Sequence, residues 1–120
     1  MSEELLSSGV VSSSSSDLEL IYDPDNDDQV VGVRFRNVQL PPAVIIERAY
    51  IQFRADAKNT IAPTTNLIIH GELSPASAEF SLANSNISSR PLTVESVLWT
   101  DVKKWGKGQS NYNQRTPNLS

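Results

Sequence analysis

The sequence predicts an all-β fold, a two-sheet antiparallel β-sandwich of the jelly-roll type. Three observations carry that expectation. Apolar and polar residues alternate with a period of two through most of the apolar segments, as they do in strands that bury one face. No window before residue 100 repeats its apolar positions at helical spacing. Turn-forming clusters separate the alternating runs, leaving five or six short strands joined by long loops, the spacing of a sandwich.

Residues 18–22 form the first candidate strand, rich in leucine and ending on an aromatic. In residues 29–36, Val31, Val33 and Phe35 face one way while Arg34 and Arg36 face the other. In residues 47–55, Ala49, Ile51 and Phe53 alternate with Arg48, Tyr50, Gln52 and Arg54. Residues 66–73 place Leu67, Ile69 and Leu73 opposite Ile68, His70 and Glu72, and residues 92–99 add a run of Val, Leu and Trp. Between them, Asp23-Pro24-Asp25-Asn26-Asp27-Asp28 reads as a turn, because proline presets φ and Asp and Asn bond their own backbone. Pro41-Pro42 forbids helix and interrupts any ladder. Residues 59–66 and 74–89 are polar loops punctuated by Pro63 and Pro75. Residues 1–16, with the serine run at 12–16, are expected to be a flexible or edge-strand segment, and residues 17–120 the sandwich module.

At 120 residues the chain fits one domain with a small core. Its net charge of −4 and scattered basic residues (the densest groups are Arg34/Arg36 and Lys103/Lys104/Lys107) argue against nucleic acid as a partner. The absence of cysteine removes disulfides, thiolate nucleophiles and cysteine-based zinc sites together. No apolar run approaches the roughly 18–20 residues of a membrane span, so no membrane insertion is expected. Met-Ser-Glu-Glu-Leu-Leu lacks the basic start and apolar stretch of a signal peptide, and any secretion signal is expected upstream of this chain.

An ordered set of short motifs suggests kinship. Ser15-Ser16-Asp17-Leu18-Glu19-Leu20 is followed by Gln29-Val30-Val31-Gly32-Val33-Arg34-Phe35 and Ala49-Tyr50-Ile51-Gln52-Phe53. Ile69-His70-Gly71-Glu72, Asn86-Ile87-Ser88-Ser89-Arg90 and Gln114-Arg115-Thr116-Pro117-Asn118-Leu119 complete it. Together they resemble a jelly-roll repeat module of large secreted and surface proteins, similar in plan to the disaggregatase-related (DNRLRE-type) carbohydrate-binding modules. The resemblance implies a secreted or cell-surface setting and an accessory role, attached to enzymes or adhesive scaffolds, rather than one defined activity. Members of that family continue past the Gln-Arg-Thr-Pro-Asn-Leu segment into further strands, whereas this sequence stops at Ser120. The module is therefore expected to lack its closing strands and to self-associate, or accept a partner's strand, through an open sheet edge.

Catalysis is not expected. His70 is the only histidine, and a nucleophilic centre built on it needs a nucleophile and an orienting third group. No nucleophile elbow, H-E-x-x-H or phosphate-cradling glycine loop occurs. No cofactor is required, but Asp23, Asp25, Asp27 and Asp28 are the best metal candidates, for a structural Ca²⁺, since hard cations take carboxylate oxygens converging from alternate loop positions. An EF-hand is rejected: its sixth and twelfth positions hold Asp28 and Arg34. The competing explanation is a solvated turn. Glu3, Glu4, Asp17 and Glu19 form a second acidic group.

For ligand binding, the candidates are Trp105 and Tyr112 for stacking and Asn111, Asn113 and Gln114 for hydroxyl contacts, because sugars offer apolar C–H faces to aromatic rings and hydroxyls to planar polar groups. Trp105 sits in a glycine-containing loop that suggests exposure; Trp99 ends an apolar strand and reads as core. The polar stretch around Tyr112 reads equally as an ordinary surface loop. Arg90 and Arg115 suggest guanidinium groups that tether loops by bonding several carbonyls. Asn86-Ile87-Ser88 and Asn118-Leu119-Ser120 are glycosylation sequons if the source is a secreting eukaryote. The expected function is thus a non-catalytic extracellular accessory module, binding glycan. The alternative is a structural, self-assembling module whose partners are other protein chains.

Overall fold

The computed structural model describes residues 1–20, 22–23, 27–56 and 65–120, with residues 22, 23 and 27 as backbone only. The fold is all-β with two antiparallel sheets, the make-up expected of a small β-sandwich. Strands β1 (Ser2–Leu5), β2 (Val11–Ser12), β3 (Tyr22–Asp23) and β4 (Asp27–Gly32) form one sheet in the order β2-β1-β4-β3, and β5 (Thr65–Glu72) and β6 (Leu92–Val102) form the other. By contacts the chain divides into two compact units, one of residues 1–39 and 72–93, the other of residues 40–71 and 94–120.

In the first unit, β1 is an interior strand, paired with β2 through Glu3↔Ser12 and with β4 through Glu3↔Val31 and its neighbours. Its Ser-Glu-Glu start reads as solvent-facing, yet Ser2, Glu3 and Glu4 are buried. Hydrogen bonds make that possible, since a buried carboxylate must find donors. Glu4 Oε2 accepts from the backbone N–H of Ile87 (2.7 Å) and of Ser88 (2.9 Å), and Glu3 Oε1 accepts from the N–H of Glu19 (2.8 Å). The turn that Glu4 caps is closed internally by Asn86 N–H to Ala83 O, Ser89 N–H to Ser85 O and Arg90 N–H to Ile87 O.

Gly9 belongs to the same assembly. Its φ of +71° is left-handed, and a Cβ there would lie 2.5 Å from Ser85 Oγ and 3.2 Å from Ser85 N, so only glycine is free of strain at this position. The closeness lets Gly9 O accept from Ser85 N–H at 2.7 Å.

Arg90 ties residues 72–90 together. Nε donates to Asn86 O, Nη1 to Ala78 O and to Glu72 Oε2, and Nη2 to Glu79 O and Asn86 Oδ1, at 2.8–3.1 Å. Its guanidinium also lies 4.4 Å from the Phe80 ring centroid. All five donor positions are used, as the tethering expectation required.

Two expected strands are shortened. Pairing of β4 with β1 ends at Ser2↔Gly32, not at Arg36. Beyond it Arg34 donates to Ser77 O and, with Arg36, reaches Glu79, while Phe35 stays exposed instead of facing a core. Of the described residues 18–20 and 22, only residue 22 joins a strand; the Glu19 backbone is instead engaged by the side chains of Glu3 and Gln29.

The second unit buries Ala55, Leu67 and Trp99. Phe53, Trp99 and Trp105 form an aromatic triad with centroids 6.0–6.1 Å apart, within the range of favourable ring pairing. Alternation along β5 and β6 has the expected sense: Leu67 and Trp99 are buried, while Ile68, His70 and Leu98 are exposed. The run 47–55 is extended but pairs with the C-terminal segment largely through side chains. Ala49 N–H donates to Asn118 Oδ1 (2.9 Å) and Ile51 N–H to Thr116 Oγ1 (3.0 Å). Carbonyls of Ala49 and Ile51 accept from the N–H of Leu119 and Thr116, and Phe53 N–H donates to Gln114 O. Gln52 and Arg115 form the one bridge recorded there.

Candidate ligand site

The stretch 111–117 is shaped by a capping box. Asn111 precedes the 3₁₀ turn Tyr112–Gln114; its Oδ1 accepts from Asn113 N–H, and Gln114 Oε1 reaches back to Asn111 N–H, each at 3.0 Å. This reciprocal arrangement satisfies donors that a helix start otherwise leaves open. Gln114 is only 1% exposed, and its carbonyl accepts from Phe53 N–H and Gln52 Nε2. Asn111 and Gln114 thus spend these side-chain oxygens on the turn itself.

The turn projects Tyr112, 77% exposed. Arg115 follows on the strand-like segment beside residue 52, and its guanidinium carbon lies 4.5 Å from the Tyr50 ring centroid and 4.9 Å from that of Tyr112. Cation–π contact on two rings fixes a side chain that is otherwise free to move. Across from this group, β6 runs out through Asp101, whose φ of +54° is left-handed and whose N–H is held by Asn66 Oδ1 at 3.1 Å.

These pieces border an open groove of about 270 Å³, near the lower end of the ~300–1,000 Å³ typical of ligand pockets. Its polar lining includes Asp101, Lys103, Asn113, Arg115 and Thr116, with the Tyr112 ring beside them. A second groove in the first unit, about 340 Å³, is bordered by Glu3, Glu19, Gln29 and serines and contains no aromatic residue. The smaller groove has a ring for stacking as well as groups for hydroxyl contact; the larger one has only the latter.

Of the five residues expected to bind, the structure brings only Tyr112 and Asn113 to the groove. Trp105 is half-buried in the aromatic triad rather than displayed on its loop. Its Nε1 is buried without a hydrogen-bond partner among the described residues. Asp101, Lys103 and Arg115 line the groove without having been expected there, and Tyr50 lies behind Arg115 against its guanidinium. The available signal was that the motifs around Tyr50 and Arg115 are both amphipathic and extended; their pairing across 65 positions was not readable from either.

The calcium candidates fall largely outside the described residues: Asp25 entirely, and the side chains of Asp23 and Asp27. Asp28 is exposed and pairs in register with residue 22. Among the described residues no group of three or more His, Asp or Glu side chains is placed to hold a metal. Glu3 and Glu4, from the second acidic group, are committed to backbone N–H donors, and Asp17 accepts from Ser16 Oγ. No helix among the described residues is long and apolar enough to cross a membrane.

No protein-family model, curated protein or solved structure matches the chain.

Proposed function

We propose that this chain is a non-catalytic accessory module of a secreted or cell-surface protein, of the jelly-roll repeat kind, and that it binds carbohydrate in the groove beside Tyr112. The supporting observation is the combination of a widely exposed tyrosine ring, in contact with the Arg115 guanidinium, with Asn113, Asp101 and Thr116 along the same groove. A flat apolar ring beside amide, carboxylate and hydroxyl groups suits a sugar, whose C–H face stacks while its hydroxyls both donate and accept. A glycan-array screen with and without Ca²⁺ tests the proposal, followed by Tyr112→Ala. The variant is expected to lose binding while keeping its melting temperature, because an exposed ring contributes little to the core. Retained binding in Tyr112→Ala would remove the groove from the reading.

A second reading, a structural module that assembles with other chains, is favoured by one observation. Along β6, Leu92, Val94 and Leu98 are at least half exposed, Val94 at 95%, and Ile68 of β5 is 66% exposed. Such apolar exposure on a two-stranded sheet is typical of association surfaces. Sedimentation at micromolar concentration distinguishes it: a concentration-independent monomer speaks against assembly.

A further inference from the structure

Arg90 and Arg115 are used in opposite ways. Every N–H of the Arg90 guanidinium donates to a carbonyl or carboxylate of its own unit. The Arg115 side chain makes no hydrogen bond or ion pair among the described residues; only the Tyr50 and Tyr112 rings engage it, at 4.5 and 4.9 Å. Ring contacts use the flat faces of a guanidinium, whereas its five donors lie in the plane and point outward. The group thus lies against two rings with no protein acceptor for its donors among the described residues, and it lines the groove. Lys103 lines the same groove, and Asp101 is its one acidic residue among the described residues. Two positive groups against one negative leave the groove locally cationic on a chain whose net charge is −4.

We infer that the groove selects an anionic saccharide, with a carboxylate or sulfate of the sugar received by the in-plane donors of Arg115. The inference rests on the carbohydrate reading above and narrows it. A planar fork of donors matches the paired oxygens of a carboxylate or sulfate, and such charge-assisted bonds are stronger than neutral ones. Tyr112 supplies the stacking face next to the charged substituent, and Lys103 adds a second, less directional charge. Asp101 accepts sugar hydroxyls.

The test compares pairs of probes with and without a charged group: polygalacturonate against its fully methyl-esterified form, and dextran sulfate against dextran. Titration calorimetry on the whole chain is expected to show binding to the charged member of one pair, carboxylate or sulfate, and to weaken as salt is raised. Arg115→Gln should lower that affinity about 10- to 100-fold, the loss expected for a hydrogen bond to a charged group, while Arg115→Lys recovers part of it. Arg34→Gln, in the other unit, should leave affinity unchanged. If Arg115→Gln does not fold by near-ultraviolet circular dichroism, Lys103→Gln replaces it, with a loss of about 3- to 10-fold expected for an exposed charge. Equal binding of charged and neutral probes, or indifference to both substitutions, overturns this inference and leaves the carbohydrate reading standing. Binding to neither member of any pair, nor to any glycan on the array, overturns both.

Discussion

Glu4 and Ile87 are 83 positions apart in sequence, yet the Glu4 carboxylate accepts the Ile87 N–H at 2.7 Å and that of Ser88 at 2.9 Å. Glu4 is 1% exposed. A buried acceptor serving two backbone donors is the arrangement in which one substitution leaves the most unsatisfied.

Glu4→Ala is therefore expected to lower stability by about 2–4 kcal/mol, because the two N–H groups lose their acceptor inside the first unit. Glu4→Gln keeps a neutral acceptor and should cost about half as much. Urea denaturation followed by circular dichroism measures both. Equal midpoints for Glu4→Ala and the parent chain would mean that the turn at 83–90 forms without this clasp.

Arg90→Lys preserves charge but replaces a five-donor fork with a single ammonium. The side chain is 12% exposed, and an ammonium there cannot serve all three backbone carbonyls and Glu72 at once. A loss of about 2–3 kcal/mol is expected, together with faster amide exchange across residues 72–90. A Lys variant as stable as the parent would show that the remaining loop contacts suffice.

Trp105→Ala removes one member of the aromatic triad, and a loss of about 2–3 kcal/mol is expected for a half-buried ring. Trp105→Phe should be close to neutral, since it keeps the ring contact and deletes an Nε1–H that has no partner among the described residues. Thermal melting of the two variants separates packing from ligand stacking. Unchanged stability in Trp105→Ala with loss of glycan binding would return the ring to the ligand.

What was legible in the sequence followed from periodicity. Alternation in residues 66–73 and 92–99 corresponds to β5 and β6, and Trp99 is buried as its place in an apolar strand implied. Illegible features were those in which polar residues are buried or apolar ones exposed. Ser2-Glu3-Glu4 forms an interior strand only because distant N–H groups meet the carboxylates, and those donors, at 19, 87 and 88, carry no mark in sequence. Phe35 continues the pattern of Val31 and Val33 but lies past the last β1–β4 pair, so its alternation has no sheet to address. At the groove, Tyr112 and Asn113 are the two expected residues that line it. Asn111 and Gln114 have the same chemistry turned to local use; a capping box is readable as a spacing, but it competes with ligand contact for the same amides. Arg90 and Arg115 carry the same tethering expectation, and only the surroundings of each guanidinium tell them apart.

The pairing of residues 49–53 with 114–119 has a property that an ordinary ladder lacks. Backbone-to-backbone bonding is indifferent to which side chains are opposite each other, so a strand displaced by two positions still finds a carbonyl for every N–H. Here the N–H groups of Ala49 and Ile51 are received by Asn118 Oδ1 and Thr116 Oγ1. Displacement by two would offer Thr116 where Asn118 belongs and Gln114 where Thr116 belongs, side chains of different reach. The zipper thus proofreads its own alignment, and does so for segments that no hairpin brings together.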